Sequence, residues 1–205
     1  PIAVKDYNDL SGVPTTYGST IFRKNVPKDS DRTIKLLERN GANPVAKSNV
    51  PEWAGGHTFN PVHGLTRNPW DISKSAGGSS GGSASALASG QVFLATGNDL
   101  GGSLRTPAGF NGVVGLRPSP GLIPRGDRYM PFDTLWVEGP MARTVEDLAL
   151  MLDSMVGHDI GDPLSFKSKT GCFIESLKKD LNPISIAVSE DLNLVPVDSE
   201  VRKVF

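Results

Sequence analysis

The sequence has a single cysteine, Cys172, which excludes an internal disulfide framework and any zinc site built on several thiolates. Its three histidines, His57, His63 and His158, are scattered and leave little for a metal cluster. Neither sign of charge prevails. Lys and Arg number 21 against 22 Asp and Glu, a net charge of −1, so no global electrostatic pull toward nucleic acid or an anionic membrane follows. No apolar run is long enough to span a bilayer, and no signal-peptide core is present. With 38% hydrophobic and 21% charged residues, the composition also argues against a disordered chain. What remains is 205 residues, enough for one sizeable apolar core, with 23 Gly and 16 Pro that demand many locally specified loops.

The chain opens at Pro1 directly on an apolar run, Ile2-Ala3-Val4, and closes over Asp198–Phe205 on a helix just begun after its N-cap. The expectation is a fragment of a longer chain, with residues 1–205 as a single domain. Ile2–Val4 reads as a buried strand. Asp29-Ser30-Asp31 supplies N-cap chemistry for a helix over Arg32–Asn40, stopped by Gly41. Pro44–Lys47 reads as a strand, followed by a long irregular stretch, Asn49–Gly78. The tiny side chains of Ser83–Gly90 suit a helix pressed close to a neighbour. Val92–Ala95 suits a strand buried on both faces, and Val113–Leu116 another. Thr144 caps the clearest helix: Val145, Leu148, Ala149, Leu152, Met155 and Val156 share one face, and Gly157 ends it. Ile184–Val188 reads as a strand. This alternation predicts an α/β fold with its sheet covered on both faces.

Two glycine clusters draw attention. Gly77-Gly78-Ser79-Ser80-Gly81-Gly82-Ser83 has the composition of a flexible linker, but it feeds straight into the small-residue helix and a buried strand. It lacks the Lys-Ser/Thr pair of a Walker loop and the spacing of a dinucleotide fingerprint, so a phosphate cradle is not supported. Asp99-Leu100-Gly101-Gly102-Ser103-Leu104-Arg105 places a serine after two glycines at the end of a buried strand. Glycines let main-chain N–H groups converge beside a hydroxyl, which is what an oxyanion hole requires, and Asp99 is placed to brace the turn. A serine nucleophile needs a base. His57 and His63 sit in the long loop in no triad-like setting and read as hydrogen-bonded structural groups, and the G-x-S-x-G elbow is absent at Ser103.

Taken with Pro1–Asp6, these two clusters resemble the amidase signature family. Lys47–Glu52, Thr66–Asp71, Gly112–Pro118 and Gly139–Asp147 match as well, so the similarity runs in order through most of residues 1 to 160. The resemblance implies a central mixed sheet covered by helices on both faces. It also implies a catalytic Ser–cisSer–Lys triad: Ser103 as nucleophile, Ser79, 24 positions earlier, as the bridging serine after a cis Gly78–Ser79 peptide, and Lys5 as the base. It implies an oxyanion hole of backbone N–H groups from Leu100, Gly101, Gly102 and Ser103, with Ser80 beside Lys5 and with Asp99 and Arg105 tying the loop. Asn98 departs from the family's usual Ser or Thr.

Lys5 acts as a base only if burial, expected here near Ile2 and Val4, disfavours its ammonium. The function expected is an amide hydrolase that cleaves a carboxylic amide through an acyl-enzyme, with no metal and no cofactor. The expected partner is a small-molecule amide, with no nucleic acid and no membrane. A homodimer is left open, and the setting expected is cytoplasmic. Two alternatives remain at this point. One is the glutamine-hydrolysing amidase subunit of a tRNA-dependent amidotransferase, against which Val50–Gly56 reads as in stand-alone amidases. The other is a non-catalytic scaffold relative. Of Trp53, Phe59, Trp70, Phe132 and Trp136, most are expected in the core. Met130-Pro131-Phe132 is the segment of these expected nearest substrate, and Cys172 is expected as a buried or incidental thiol.

Overall fold

The structure is a computed structural model that describes residues 1–126, 130–169, 171–179 and 183–204. Its elements are β1 (Ile2–Lys5), α1 (Arg32–Arg39), β2 (Pro44–Ser48), β3 (Phe59–Asn60), β4 (Gly64–Leu65), α2 (Gly81–Ala88), β5 (Leu94–Asp99), α3 (Arg105–Asn111), β6 (Val114–Gly115), β7 (Val137–Ala142), α4 (Val145–Met155), α5 (Phe173–Ser176) and α6 (Ser199–Val204). Five strands form one mixed sheet in the order β2-β1-β5-β7-β6, while β3 and β4 pair separately. β1 runs parallel to β2 and β5, and β7 runs antiparallel to β5 and β6.

Side chains alternate across a strand, and β1 shows what that alternation does. Ile2 and Val4 join Ile34 and Leu37 of α1 and Met151, Leu152 and Met155 of α4 in one apolar cluster. Ala3 joins Ala84 and Leu87 of α2, Leu104 just before α3 and Ala108 within it, Ala95 and Met141 in another. Helices therefore cover both faces of the sheet, as the sequence predicts. Each large aliphatic side chain fully buried this way stabilises the fold by about 1.5–3 kcal/mol. The period of two also sends the side chain of Lys5 to the face of Ala3, toward the start of α2.

That face is built for close approach. A Cβ placed on Gly82 would lie 2.3 Å from the backbone nitrogen of Asn49. The buried Ser83 hydroxyl is shared with Ser48 Oγ and Thr96 O, both at 2.7 Å, which pins α2 to β2 and β5. α4 begins as expected, with the Thr144 hydroxyl accepting from Asp147 N at 3.1 Å. In α1 the expected N-cap bond is not made by Asp31, whose carboxylate accepts from Asn8 and the Asp9 N–H instead.

Other expectations shift. The strand read over Val92–Ala95 begins at Leu94 and runs to Asp99, and the small-residue helix starts two residues early, at Gly81. Residues 184–188 form no strand. They pair with no strand of the sheet, and Ile184, Ile186 and Val188 stand exposed. The terminal helix is present over Ser199–Val204, and Phe205 lies outside the described residues. Among the described residues no helix is long and apolar enough to cross a membrane.

Candidate active site

Because β1 and β5 are parallel, both deliver their C-terminal ends to one edge of the sheet, the edge where α/β folds place their ligands. Lys5 ends β1. Asp99 ends β5 and leads into the glycine loop 100–103, and Ser79 and Ser80 precede α2. The structure brings these segments together.

Lys5 is completely buried. Its Nζ lies 2.7 Å from Ser79 Oγ, 2.9 Å from Ser80 Oγ and 2.5 Å from Asn98 Oδ1. The burial matches expectation, but its surroundings do not. Ile2 and Val4 face away, and the amine is met by hydroxyls and an amide. The neighbouring Asp6 carboxylate accepts from Thr16 and pairs with Lys47 at 3.5 Å. Burial pushes the Lys5 amine down to about 7, against the opposing pull of the Glu138 and Asp99 carboxylates.

The proton inventory around Lys5 is closed in both of its charge states. As an ammonium it has three N–H groups for three acceptors. As an amine it has two N–H groups and one lone pair. The Asn98 carbonyl oxygen only accepts. The Ser80 hydroxyl has the main-chain carbonyl of Asn98 at 3.4 Å for its own proton, and so it accepts from Lys5 as well. The lone pair of the neutral amine is left facing Ser79.

Ser79 is buried and follows a cis Gly78–Ser79 peptide. Ser103 is half-buried, and its carbonyl accepts from Ser80 N at 3.2 Å, which locks the two serine segments together. Ser79 and Ser103 line one cleft of about 400 Å³. No hydrogen bond joins their hydroxyls among the described residues.

Asp99 organises the loop that carries Ser103. Its buried carboxylate accepts from Gly102 N at 2.8 Å, Leu104 N at 3.1 Å, Arg105 Nε at 3.1 Å, Arg105 Nη2 at 3.0 Å and Arg117 Nη1 at 3.0 Å. Burial alone raises such a carboxyl. Here the bonds from Arg105, Leu104 and Gly102 prevail and hold it well below the usual carboxylate range. Gly102 takes a φ of +116°, a conformation that favours glycine. Its N–H is spent on Asp99, while those of Leu100, Gly101 and Ser103 are not drawn into this array.

Comparison with known proteins decides the lineage. The family model for Amidase matches residues 1–205. The chain belongs to the amidase signature family. The A subunit of glutamyl-tRNA(Gln) amidotransferase from Cyanothece sp. (strain PCC 7425) is 40% identical over 100% of this chain and 42% of its own length. The crystal structure of the corresponding protein from Thermotoga maritima is 37% identical, with a TM-score of 0.78 over 82% of this chain and 38% of that one. The structure of 6-aminohexanoate cyclic dimer hydrolase is 31% identical, with a TM-score of 0.83 over 88% of this chain and 39% of that one. The chain thus spans about two fifths of the length of these family members.

Several residues of this amidase signature chain escaped sequence reasoning. Trp53, Phe59, Trp70 and Phe132 are exposed and Trp136 is half-buried, so most are not core. Trp53 and Trp136 wall the cleft that holds Ser103, whereas Met130–Phe132 do not line it among the described residues. His57 also lines the cleft, its Nδ1 3.0 Å from Ser75 Oγ. His63 Nε2 lies 3.4 Å from Thr16 Oγ1. Asn98 is a direct partner of Lys5, and its Nδ2 is buried without a hydrogen-bond partner among the described residues. Cys172 is exposed rather than buried, and its thiol donates to Asp153 at 3.0 Å.

Proposed function

We propose that the protein hydrolyses carboxylic amides through an acyl-enzyme on Ser103, with Ser79 and Lys5 as its proton relay. The observation that carries this reading is a fully buried amine, lowered to about 7, standing 2.7 Å from a serine that shares a cleft with Ser103. Neutral Lys5 accepts the Ser79 proton while Ser79 accepts that of Ser103. Ser103 Oγ attacks the amide carbon, and the developing oxyanion meets the N–H groups of Leu100, Gly101 and Ser103. The proton held by Lys5 returns through Ser79 to the departing nitrogen as the C–N bond breaks. Water, deprotonated through the same relay, then releases the carboxylate. No step requires a cofactor.

A second reading rests on the 40% identity to one component of an amidotransferase, namely that the amide cleaved is that of glutamine and the ammonia passes to a partner. Ammonia release by the intact protein tests both. Turnover of free amides without partner subunits favours the first reading, and glutamine turnover that requires them favours the second. Ser103→Ala and Ser79→Ala abolish release under either, and retained turnover in a folded Ser103→Ala protein overturns the triad.

A further inference from the structure

The two indoles at the cleft are the ends of one connected set of aromatic rings. Trp53 stacks on Tyr17 with ring centres 5.9 Å apart and planes 6° apart, and it meets Phe22 edge-on at 5.3 Å. Tyr17 meets Tyr7 edge-on at 5.4 Å, and Tyr7 lies 4.9 Å from Trp136. Each terminal indole is held from outside the cleft. Trp53 and Ala54 both take left-handed backbone conformations, at φ +53° and +58°, which non-glycine residues adopt only where their surroundings hold them. The hold comes from Trp53 N donating to Tyr17 O at 3.0 Å and Ala54 N donating to Pro51 O at 2.9 Å. Trp136 donates its Nε1–H to Glu138 Oε1 at 2.9 Å and lies beneath the Arg125 guanidinium, 5.3 Å from the ring centre. Trp53 nevertheless remains 47% exposed, and both indoles line the cleft of Ser103.

A large apolar ring fixed at both backbone and neighbour, yet left open to a cleft, is a binding platform whose ordering cost is already met. We infer that this cleft takes a planar aromatic group bonded directly to the scissile amide, so that aryl carboxamides or anilides are preferred over small aliphatic amides. The inference rests on Ser103 being the nucleophile. Aromatic pairing contributes about two- to tenfold per ring contact beyond simple area burial, so two indoles give a preference of roughly tenfold or more.

The test is kcat/KM of the intact protein for benzamide, acetanilide, propionamide and L-glutamine, run beside labelling of Ser103 by a small alkyl fluorophosphonate. Benzamide or acetanilide is expected to exceed propionamide at least tenfold. The better of the two tells whether the ring sits on the acyl or the amine side. Trp53→Leu and Trp136→Leu are each expected to cut that preference about fivefold through KM, with Trp53→Phe restoring most of it. If Ser103 is labelled but both aromatic amides fall at or below propionamide, or glutamine is the best substrate, the aromatic inference is overturned and the nucleophile stands. If Ser103 in the folded protein is not labelled, both fall. The wild-type comparison decides the matter even where a tryptophan variant does not fold.

Discussion

Asp99→Asn is the substitution whose cost can be worked most fully from the geometry. The side chain keeps its shape but loses its charge, and one oxygen becomes an NH2 group. Oδ1 serves Gly102, Arg105 and Arg117, while Oδ2 serves Leu104 and Arg105. The new amide therefore turns its nitrogen to the Oδ2 position, where two N–H donors already point. The Leu104 N–H loses its acceptor, at about 1–3 kcal/mol. Arg105 has a side chain 57% exposed and regains water, so its loss is discounted toward the surface value of up to about 1 kcal/mol. Arg117, 23% exposed, keeps its bond to Oδ1, but the acceptor is now neutral, so a bond of about 1.5–3 kcal/mol falls to one of about 0.5–1.5 kcal/mol, a loss of about 1–1.5 kcal/mol. The sum is about 2–5.5 kcal/mol, against typical domain stabilities of about 5–15 kcal/mol, so the variant is weakened without being obliged to unfold.

Because Asp99 is held below its unfolded value near 3.8, its contribution is complete above about pH 4 and fades as the pH falls further. Urea unfolding of wild type and variant at several pH values is the assay. A gap of about 2–5.5 kcal/mol at neutral pH, narrowing below pH 4, is expected. With the loop loosened, kcat should fall about 10²–10³-fold, the loss typical of one oxyanion donor. A gap under about 1 kcal/mol with near-normal kcat would refute the view that Asp99 builds the loop.

Glu138→Gln removes the carboxylate that most favours the Lys5 ammonium, so the acid-side midpoint of kcat/KM should move from about 7 to lower pH. An unchanged midpoint in the pH profile contradicts this. Asn98→Leu removes both the carbonyl that Lys5 donates to and the partnerless Nδ2–H. It should shift the same midpoint downward while leaving stability within about 1–2 kcal/mol by urea unfolding, since a lost bond and a lost orphan donor offset each other. Gly82→Ala forces a Cβ against the Asn49 backbone at 2.3 Å and should destabilise by roughly 1–3 kcal/mol in the same measurement. A neutral result would mean that α2 is free to shift.

The fold was legible where local chemistry and periodicity agree. Thr144 followed by an apolar face gives α4, and the apolar run Ile2–Val4 gives a buried strand. It was illegible where backbone breakers sit inside elements. Pro107 occupies the first turn of α3, where a missing N–H costs nothing, and Gly139-Pro140 lies within β7, where Pro140 still offers its carbonyl to Leu116. Residues 184–188 carry the pattern of a strand but pair with none, which no local signal reports. In the site, Lys5, Ser79 and Ser103 stood out through motif resemblance. The environment of Lys5 did not, because it depends on which sheet face Lys5 points to and on Asn98, 93 positions away. The cleft tryptophans were read as core because bulk and apolarity describe both roles. Only the meeting of Tyr7, Tyr17, Phe22, Trp53 and Trp136, far apart in sequence, separates a platform from a core.

The relay is tested most directly by the rate at which a fluorophosphonate labels Ser103, followed by peptide mass spectrometry across pH in wild type and Lys5→Met. The account predicts a wild-type rate that rises with pH through a midpoint near 7, and a Lys5→Met rate lower by about 10²–10⁴-fold with no such midpoint. A folded Lys5→Met protein labelled as fast as wild type, at every pH, would contradict it.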